Sequence, residues 1–368
     1  MVEPADLRLY MLPSDTGACR FYRSALPAWT LADAGADAMI CQHERFQIEP
    51  DVLADPSRLV VIQRAIKPRY QQAMRKFNAE GRPWVYDFDD DFWALDDSNP
   101  ASTFYANPIT RGILDWMVKN ATVVTVSTEP LAVAVRGMFP EVAVYVVPNA
   151  LHLPAIAPNP VDDRPHTVLW RGSQTHIRDV QVVRYALKKL DRMGVRIVFA
   201  GADYRKELGV PKAVLLDDLL LRHEDERWRT EAKKHRKGGR IQLSPDVYLE
   251  AIRHVVRPTI ALGPLVDTRF NESKSHIAAL EAHAVGAVPI CSDVPAFAPY
   301  LRGLDAGLLV RNNEHNWWNA IRDVLDMTDA ERQTIVDRGA SVAEMTSTTS
   351  LIPTYTRAYG AASEGDDV

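Results

Sequence analysis

The chain has 368 residues, 46% hydrophobic and 25% charged, which is ordinary globular composition at a length that suits two domains rather than one core. A formal net charge of −5 excludes a global attraction to nucleic acid or anionic membrane, although a local basic patch is compatible with it. No apolar run approaches the ~18–20 residues of a membrane span, Met1–Asp15 lacks the pattern of a signal peptide, and the scattered Cys19, Cys41 and Cys291 imply a reducing, cytoplasmic setting without a zinc site.

Short apolar runs alternate with helical spacing. Leu7–Leu12 reads as a strand and Pro13–Arg20 as a loop. Phe21–Ala34 has helical spacing, with Pro27 marking a kink or a late helix start. Strands follow at Leu59–Ile62, Trp84–Phe88, Ala121–Ser127 and Val142–Val147. Helices are expected at Tyr70–Asn78 and Ile113–Lys119, with a turn at Gly81-Arg82-Pro83. The stretch 151–165 carries Pro154, Pro158, Pro160 and Pro165 and reads as a linker. A second series begins with strand His166–Trp170, helix Asp179–Met193 and strand Val195–Ala200. It continues with strand Ile260–Leu262, a helix carrying Glu281, and strand Val288–Cys291. Leu351, Ile352, Tyr355 and Tyr359 give the tail, 345–362, an apolar helical stripe suited to packing back on the first domain.

Apolar strands alternating with helices imply parallel sheets covered on both faces. The expected class is α/β with two Rossmann-like domains, 1–150 and 166–344, facing across a cleft. Ligands of such sheets bind beyond the carboxyl ends of the strands.

The densest functional signal is Phe270–Asp293. Lys274 and Ser275 stand at a helix start, where free N–H groups and the helix dipole attract phosphate. Glu281 lies seven residues past Lys274, on nearly the same helical face, and a carboxylate there can accept hydrogen bonds from a ribose diol. Arg171-Gly172-Ser173-Gln174-Thr175-His176 follows the first strand of the second series. Gly172 permits close backbone approach to a diphosphate, and Ser173, Thr175 and Arg171 can contact phosphate; a plain strand-to-helix turn with capping hydroxyls is the alternative.

Gly17, Arg20, Tyr22 and Arg23 follow the first strand. Either arginine can reach a leaving phosphate or an acceptor, or pair with a structural carboxylate. Asp87, Asp89, Asp90 and Asp91, followed by Trp93, crowd one strand end. They can orient acceptor hydroxyls, and one can serve as a base whose affinity for protons is tuned by crowding; a solvated loop and a Mg²⁺ or Mn²⁺ site are the alternatives. Arg222–Arg240 reads as a solvated helix ending in cationic residues before Gly238-Gly239, or as a contact for a nucleic-acid backbone.

These motifs resemble those of GT-B glycosyltransferases, in particular family four and its bacterial and phage-type members. The resemblance covers most of the chain and is strongest over Leu265–Asp293, in the pattern Phe-Asn-x-x-Lys-Ser, Leu-Glu, Gly-x-x-Pro and Ser-Asp. It implies a nucleotide-sugar co-substrate of UDP or GDP type, no required cofactor, and retention of anomeric configuration. Lys274 and Ser275 would contact the diphosphate and Glu281 the ribose, with Gly172, Ser173, Thr175, His176, Asn271, Glu272 and Ser273 completing the donor site. Arg23, Asp89, Asp90, Asp91 and Lys274 are the catalytic candidates, and Gly17, Arg20, Tyr22, Asp87 and Trp93 the acceptor side. The family often carries a sugar-reading Glu where this chain has Ser273, with Glu272 beside it. The acceptor is a glycan, a lipid-linked saccharide or a hydroxymethylated DNA base. A sugar-nucleotide epimerase and a non-catalytic nucleotide-sugar-binding protein are the rival readings.

Overall fold

The structure is a computed structural model and describes residues 2–42, 48–97, 99–152, 159–162, 164–237 and 240–364. The chain divides into two compact units. One comprises Met1–His152, Glu272–Ser275 and Thr346–Val368, the other Leu153–Asn271 and His276–Met345.

The first unit is built on a six-stranded, all-parallel sheet: β1 (Arg8–Leu12), β2 (Asp37–Ile40), β3 (Leu59–Gln63), β4 (Trp84–Phe88), β5 (Val123–Val126) and β6 (Val144–Val146), in the spatial order β2-β1-β3-β4-β5-β6. The continuous apolar runs exist because both faces are covered. Tyr10, Val60, Ile62, Trp84, Tyr86 and Phe88 enter one core, while Leu9, Met11, Leu59, Val61 and Val85 enter the other. A five-residue π-helical turn, Phe21–Ala25, opens into α1 (Leu26–Asp33), so Pro27 falls where the wide turn ends and its missing donor is tolerated. Helices α2 (Pro68–Ala79), α3 (Pro108–Asn120) and α4 (Glu129–Met138) supply Met74, Phe77, Leu114, Met117, Leu131 and Val135 to the first core. The C-terminal helix Ile352–Glu364 buries Tyr355, Ala358, Tyr359 and Ala362 in the second. Each large side chain fully buried in this way contributes roughly 1.5–3 kcal/mol.

The second unit repeats the design with β7 (Thr167–Gly172), β8 (Arg196–Gly201), β9 (Val214–Leu215), β12 (Ile260–Gly263), β13 (Val288–Ser292) and β14 (Leu308–Val310), ordered β14-β13-β12-β7-β8-β9 and all parallel; a short antiparallel hairpin, β10 (Arg236–Lys237) and β11 (Arg240–Ile241), stands apart. Counting from β7, this is the doubly wound order 3-2-1-4-5-6, whose strand order reverses between β7 and β12. Helix α5 (Arg184–Met193) is separated from a short turn of helix, Ile177–Gln181, so the helix expected over 179–193 is two pieces. Helix α6 (Glu226–Lys234) ends at His235 and gives way to β10, so the basic run is part helix and part hairpin; the expected Gly238-Gly239 ending lies outside the described residues. Of the expected linker, 153–158 and 163 likewise lie outside them. Helices α7 (Ile277–Val285), α8 (Glu314–Asp326) and α9 (Asp329–Met345) complete the unit, with Trp317 and Ile321 of α8 fully buried under the sheet.

Gly172 and Gly201 end adjacent strands, and a Cβ on Gly201, at φ +109°, would stand 2.3 Å from Gly172 O. Gly303 has φ +76° with open space around it. Gly303→Ala is therefore expected to cost only the left-handed backbone penalty of about 1–2 kcal/mol, and Gly201→Ala distinctly more. Equal losses in chemical denaturation would contradict the close approach of the two strand ends.

Candidate functional site

Asp87 is the penultimate residue of β4 and is buried, and a carboxylate in that position needs a cation. Arg23, on the π-helical turn, supplies it. Its Nε donates to Asp87 Oδ1 (3.1 Å) and its Nη2 to Oδ2 (2.5 Å), while Nη1 donates to Val147 O and to Asn149 Oδ1 (3.1 Å). Thr125 Oγ1 adds a 2.7 Å donation to Asp87 Oδ2. Burial opposes the Arg23 charge, but the Asp87 contact outweighs it and keeps the guanidinium firmly protonated. Arg23 is thus engaged inside the first unit with a structural carboxylate, one of the two alternatives its position left open.

Asn149 passes the network on, since its Nδ2 donates to Ser275 Oγ at 2.9 Å. Ser273 O accepts from Thr128 Oγ1 at 2.8 Å, and Lys274 Nζ donates to Asp90 Oδ1 at 3.1 Å. The Ser273-Lys274-Ser275 segment is therefore held by three separate strand-end or helix-start residues of the first unit. Glu272 is half-buried next to it.

The Asp cluster divides by environment. Asp91 is completely buried, and its Oδ1 accepts from Trp93 N at 3.1 Å; Trp93 in turn donates its indole N–H to Asp115 at 2.9 Å and packs against the core. Asp89 and Asp90 keep partial exposure, 14% and 21% at the side chain. Burial, with Asp90 adding to it, raises the proton affinity of Asp89 despite Arg64 nearby. Arg64 was not singled out from sequence. It immediately follows β3, at the point where the strand order of the first sheet reverses between β1 and β3. Its guanidinium lies 3.4 Å from Asp89, 3.7 Å from Asp90 and 2.7 Å from Cys19 Sγ, and it covers the ring of Phe92. Its φ of +52° is unusual for a non-glycine residue, and the backbone is pinned by Arg64 N donating to Asp87 O at 2.8 Å. Burial raises the Cys19 thiol well above its usual range, so it is a neutral neighbour. Gly17 donates its N–H to Asp15 at 2.7 Å in the same loop, Arg20 is half-buried and Tyr22 is buried.

In the second unit the loops after β7 and β12 flank the reversal of strand order. Buried Asp179 ties them together: its Oδ2 accepts from His176 Nδ1 (2.8 Å), and its Oδ1 from Val266 N and Asn271 Nδ2 (both 2.9 Å). Asn271 is itself buried, so its amide shapes the loop. Ser173 and Thr175 are exposed and share a hydroxyl contact of 2.6 Å, while Gly172 lies over the Trp170 ring, which a Cβ would strike at 2.7 Å. Asp179 gave no signal in the sequence, being one acid in a helical pattern. Glu281, two turns past Lys274, is buried with Oε2 2.8 Å from Arg171 Nε; both line a small hollow with Tyr248, Leu169, Leu262 and Ala278.

Further along α7, His283 is fully buried. Its Nε2 stands 2.7 Å from Ala306 O, so it must carry the proton, and Nδ1 accepts from Tyr300 OH at 3.0 Å. Tyr300 stacks on His276 at 4.2 Å between ring centroids. Burial lowers both imidazoles to about 4, with the neighbouring His283 adding to the effect on His276.

Among the described residues no three His, Cys, Asp or Glu side chains are grouped to hold a metal ion, and no helix is long and apolar enough to cross a membrane.

No family profile and no curated protein sequence matches the chain. Solved structures do. The chain is similar to a sucrose-phosphate synthase from Thermosynechococcus elongatus (14% identity, 96% of this chain and 98% of that one, TM-score 0.59). It is also similar to a glycosyltransferase from Rickettsia africae (12% identity, 96% and 98%, TM-score 0.58). A third similar structure is Anabaena HepE in complex with UDP (11% identity, 96% and 100%, TM-score 0.58). At such identities the likeness establishes the fold, which is GT-B with two Rossmann-like units.

Two outcomes are expected. Asp87→Asn removes the carboxylate that receives the Arg23 fork and should cost about 3–5 kcal/mol in urea denaturation, the usual penalty for a stranded buried charge. The folded His283 imidazole titrates near 4 and the unfolded one near 6.5. Protons therefore bind the unfolded chain first, and stability falls as pH drops from 6.5 towards 4. Between pH 7 and pH 5 this residue should account for a loss on the order of 2 kcal/mol, and His283→Gln should flatten the pH dependence by that amount.

Proposed function

We propose that the chain is a glycosyltransferase that moves a sugar from a nucleotide-sugar donor to an acceptor hydroxyl with retention. The observation that carries the reading is the start of α7. Lys274 and Ser275 precede it, and Glu281 lies buried in it beside Arg171 at the strand-order reversal of a Rossmann-like unit. That is where doubly wound sheets bind nucleotides. The GT-B fold supports the reading, and the UDP complex of HepE supports a uridine donor.

In this reading Lys274, Ser275 and the first N–H groups of α7 take the diphosphate, Gly172 leaves room for it, and Ser173 and Thr175 donate to it. Glu281 accepts from the ribose diol, with Arg171 fixing its carboxylate. The bond from the anomeric carbon to the diphosphate oxygen breaks while the acceptor oxygen bonds to that carbon on the same face. The acceptor proton passes to the departing phosphate oxygen. Stabilising the charge on that diphosphate is the main catalytic contribution, and Lys274 provides most of it. Asp90 holds the ammonium of Lys274 in place before the donor arrives. Asp89 and Asp90 accept hydrogen bonds from acceptor hydroxyls, which suits a hydroxyl-rich saccharide better than a phosphorylated one. Glu272, or the backbone near Ser273, reads the donor sugar.

Lys274→Ala should leave stability within about 1 kcal/mol, because the pair with Asp90 is partly exposed, yet weaken the donor nucleotide roughly tenfold or more by calorimetry. Unchanged affinity would sink the assignment. Glu281→Ala should weaken UDP more than inorganic pyrophosphate; equal losses would remove Glu281 from the ribose. A thermal-shift screen of nucleotide sugars identifies base and sugar together.

A further inference from the structure

The second unit has a separate hollow at the other end of its sheet, where the strands begin. His166 precedes β7, Thr259 precedes β12, and Val288 opens β13; all three line it, together with Asp162, Arg164, Arg257 and Arg332. It measures about 450 Å³ including the space open to solvent. Its wall is built rather than incidental. Asn159 Nδ2 donates to Arg253 O (2.6 Å), and Val161 N donates to Gln333 Oε1 (2.8 Å). Gly286, at φ +77°, lets the wall close, since a Cβ there would sit 2.3 Å from Asn159 O.

Among the described residues, three guanidiniums and one carboxylate, Asp162, line this hollow, and Asp329 pairs with Arg332 beside it. Arg164 Nε and Arg257 Nη2 both reach Asp162, at 2.5 Å and 3.0 Å. Arg332 is 5% exposed; Nη1 donates to Met327 O and Nη2 to Asp329, while Nε is buried without an acceptor. Arg257 occupies the left-handed region at φ +51°, where glycine would be relaxed, so a strained position is given to a cation. Burial, and after it the charge of Arg332, lower the proton affinity of His166, while Asp329 opposes the shift.

We propose that this hollow binds a phosphate dianion, either inorganic phosphate or the phosphate of a small phosphomonoester, between Arg164, Arg257 and Arg332. Guanidinium N–H groups pair with phosphate oxygens, Arg332 offering its buried Nε, and Thr259 adds a hydroxyl donor. The site lies at the opposite end of the strands from Gly172 and the start of α7, and it does not depend on the function proposed above.

The test uses the full chain carrying Lys274→Ala, which removes the cationic phosphate contact proposed at α7. Inorganic phosphate and glucose 6-phosphate are titrated separately at fixed pH and constant ionic strength set with sodium chloride. The readouts are calorimetry and the imidazole resonances, His166 being assigned by its disappearance in His166→Gln. Saturable binding of either anion that moves the His166 resonance is expected. Arg164→Gln and Arg257→Gly should each weaken it roughly tenfold or more. Arg257→Gly should also keep or gain stability in denaturation, since it relaxes the backbone. No saturable His166 shift at tens of millimolar, or an affinity that neither variant changes, overturns the proposal.

Discussion

The first unit depends on one buried charge. Asp87 is buried one residue short of the end of a central strand, so a cation must be delivered to it from elsewhere in the chain. Arg23 does this from a π-helical turn, and its remaining donors fix Val147 and Asn149 just past the last strand. One ion pair thereby sets the loop after β1, the end of β4 and the exit from β6. The same network reaches Ser275 through Asn149, so a structural pair also orients a residue of the candidate site. Tyr355 and Tyr359 close over it from the C-terminal helix, and burial pushes both phenols well above their usual range, which keeps them neutral beside the pair.

The second unit solves the same problem with Asp179. Its two oxygens hold the loop after β7 through His176 and the loop after β12 through Val266 and Asn271. The hydroxyls of Ser173 and Thr175 stay exposed, because the loop that carries them is already anchored elsewhere. Chemistry at the carboxyl ends of parallel strands needs this division of labour. The loops are irregular, and without buried anchors their positions would be set by solvent.

Part of the candidate site follows from local rules. The Lys-Ser pair at a helix start, Glu281 two turns on and Gly172 after a strand are legible because helix geometry and backbone sterics act over a few residues. Arg64 and Asp179 are not, since their meaning comes from partners far away in sequence: Asp89 and Asp90 for one, Asn271 and Val266 for the other. Nor could the Asp cluster be sorted in advance. Asp87 and Asp91 are fully buried while Asp89 and Asp90 keep partial exposure, a division set by how the strand end and the following turn pack.

By itself the sequence determined two series of buried strands alternating with helices, hence two parallel sheets, because an apolar run that has no polar face must be covered on both sides. It did not reveal the edge strands β2, β9 and β14, most of whose residues are part-exposed and carry a weak pattern, or the hairpin β10–β11 within the basic run. Only the tertiary structure decided which charges are spent on folding and which remain for chemistry. Arg23 is paired and buried, Arg171 is committed to Glu281, and Arg164, Arg257 and Arg332 gather at the far end of a sheet. Charge pairing is a long-range property: Coulomb energy and desolvation depend on distances and burial that the chain acquires only when it folds.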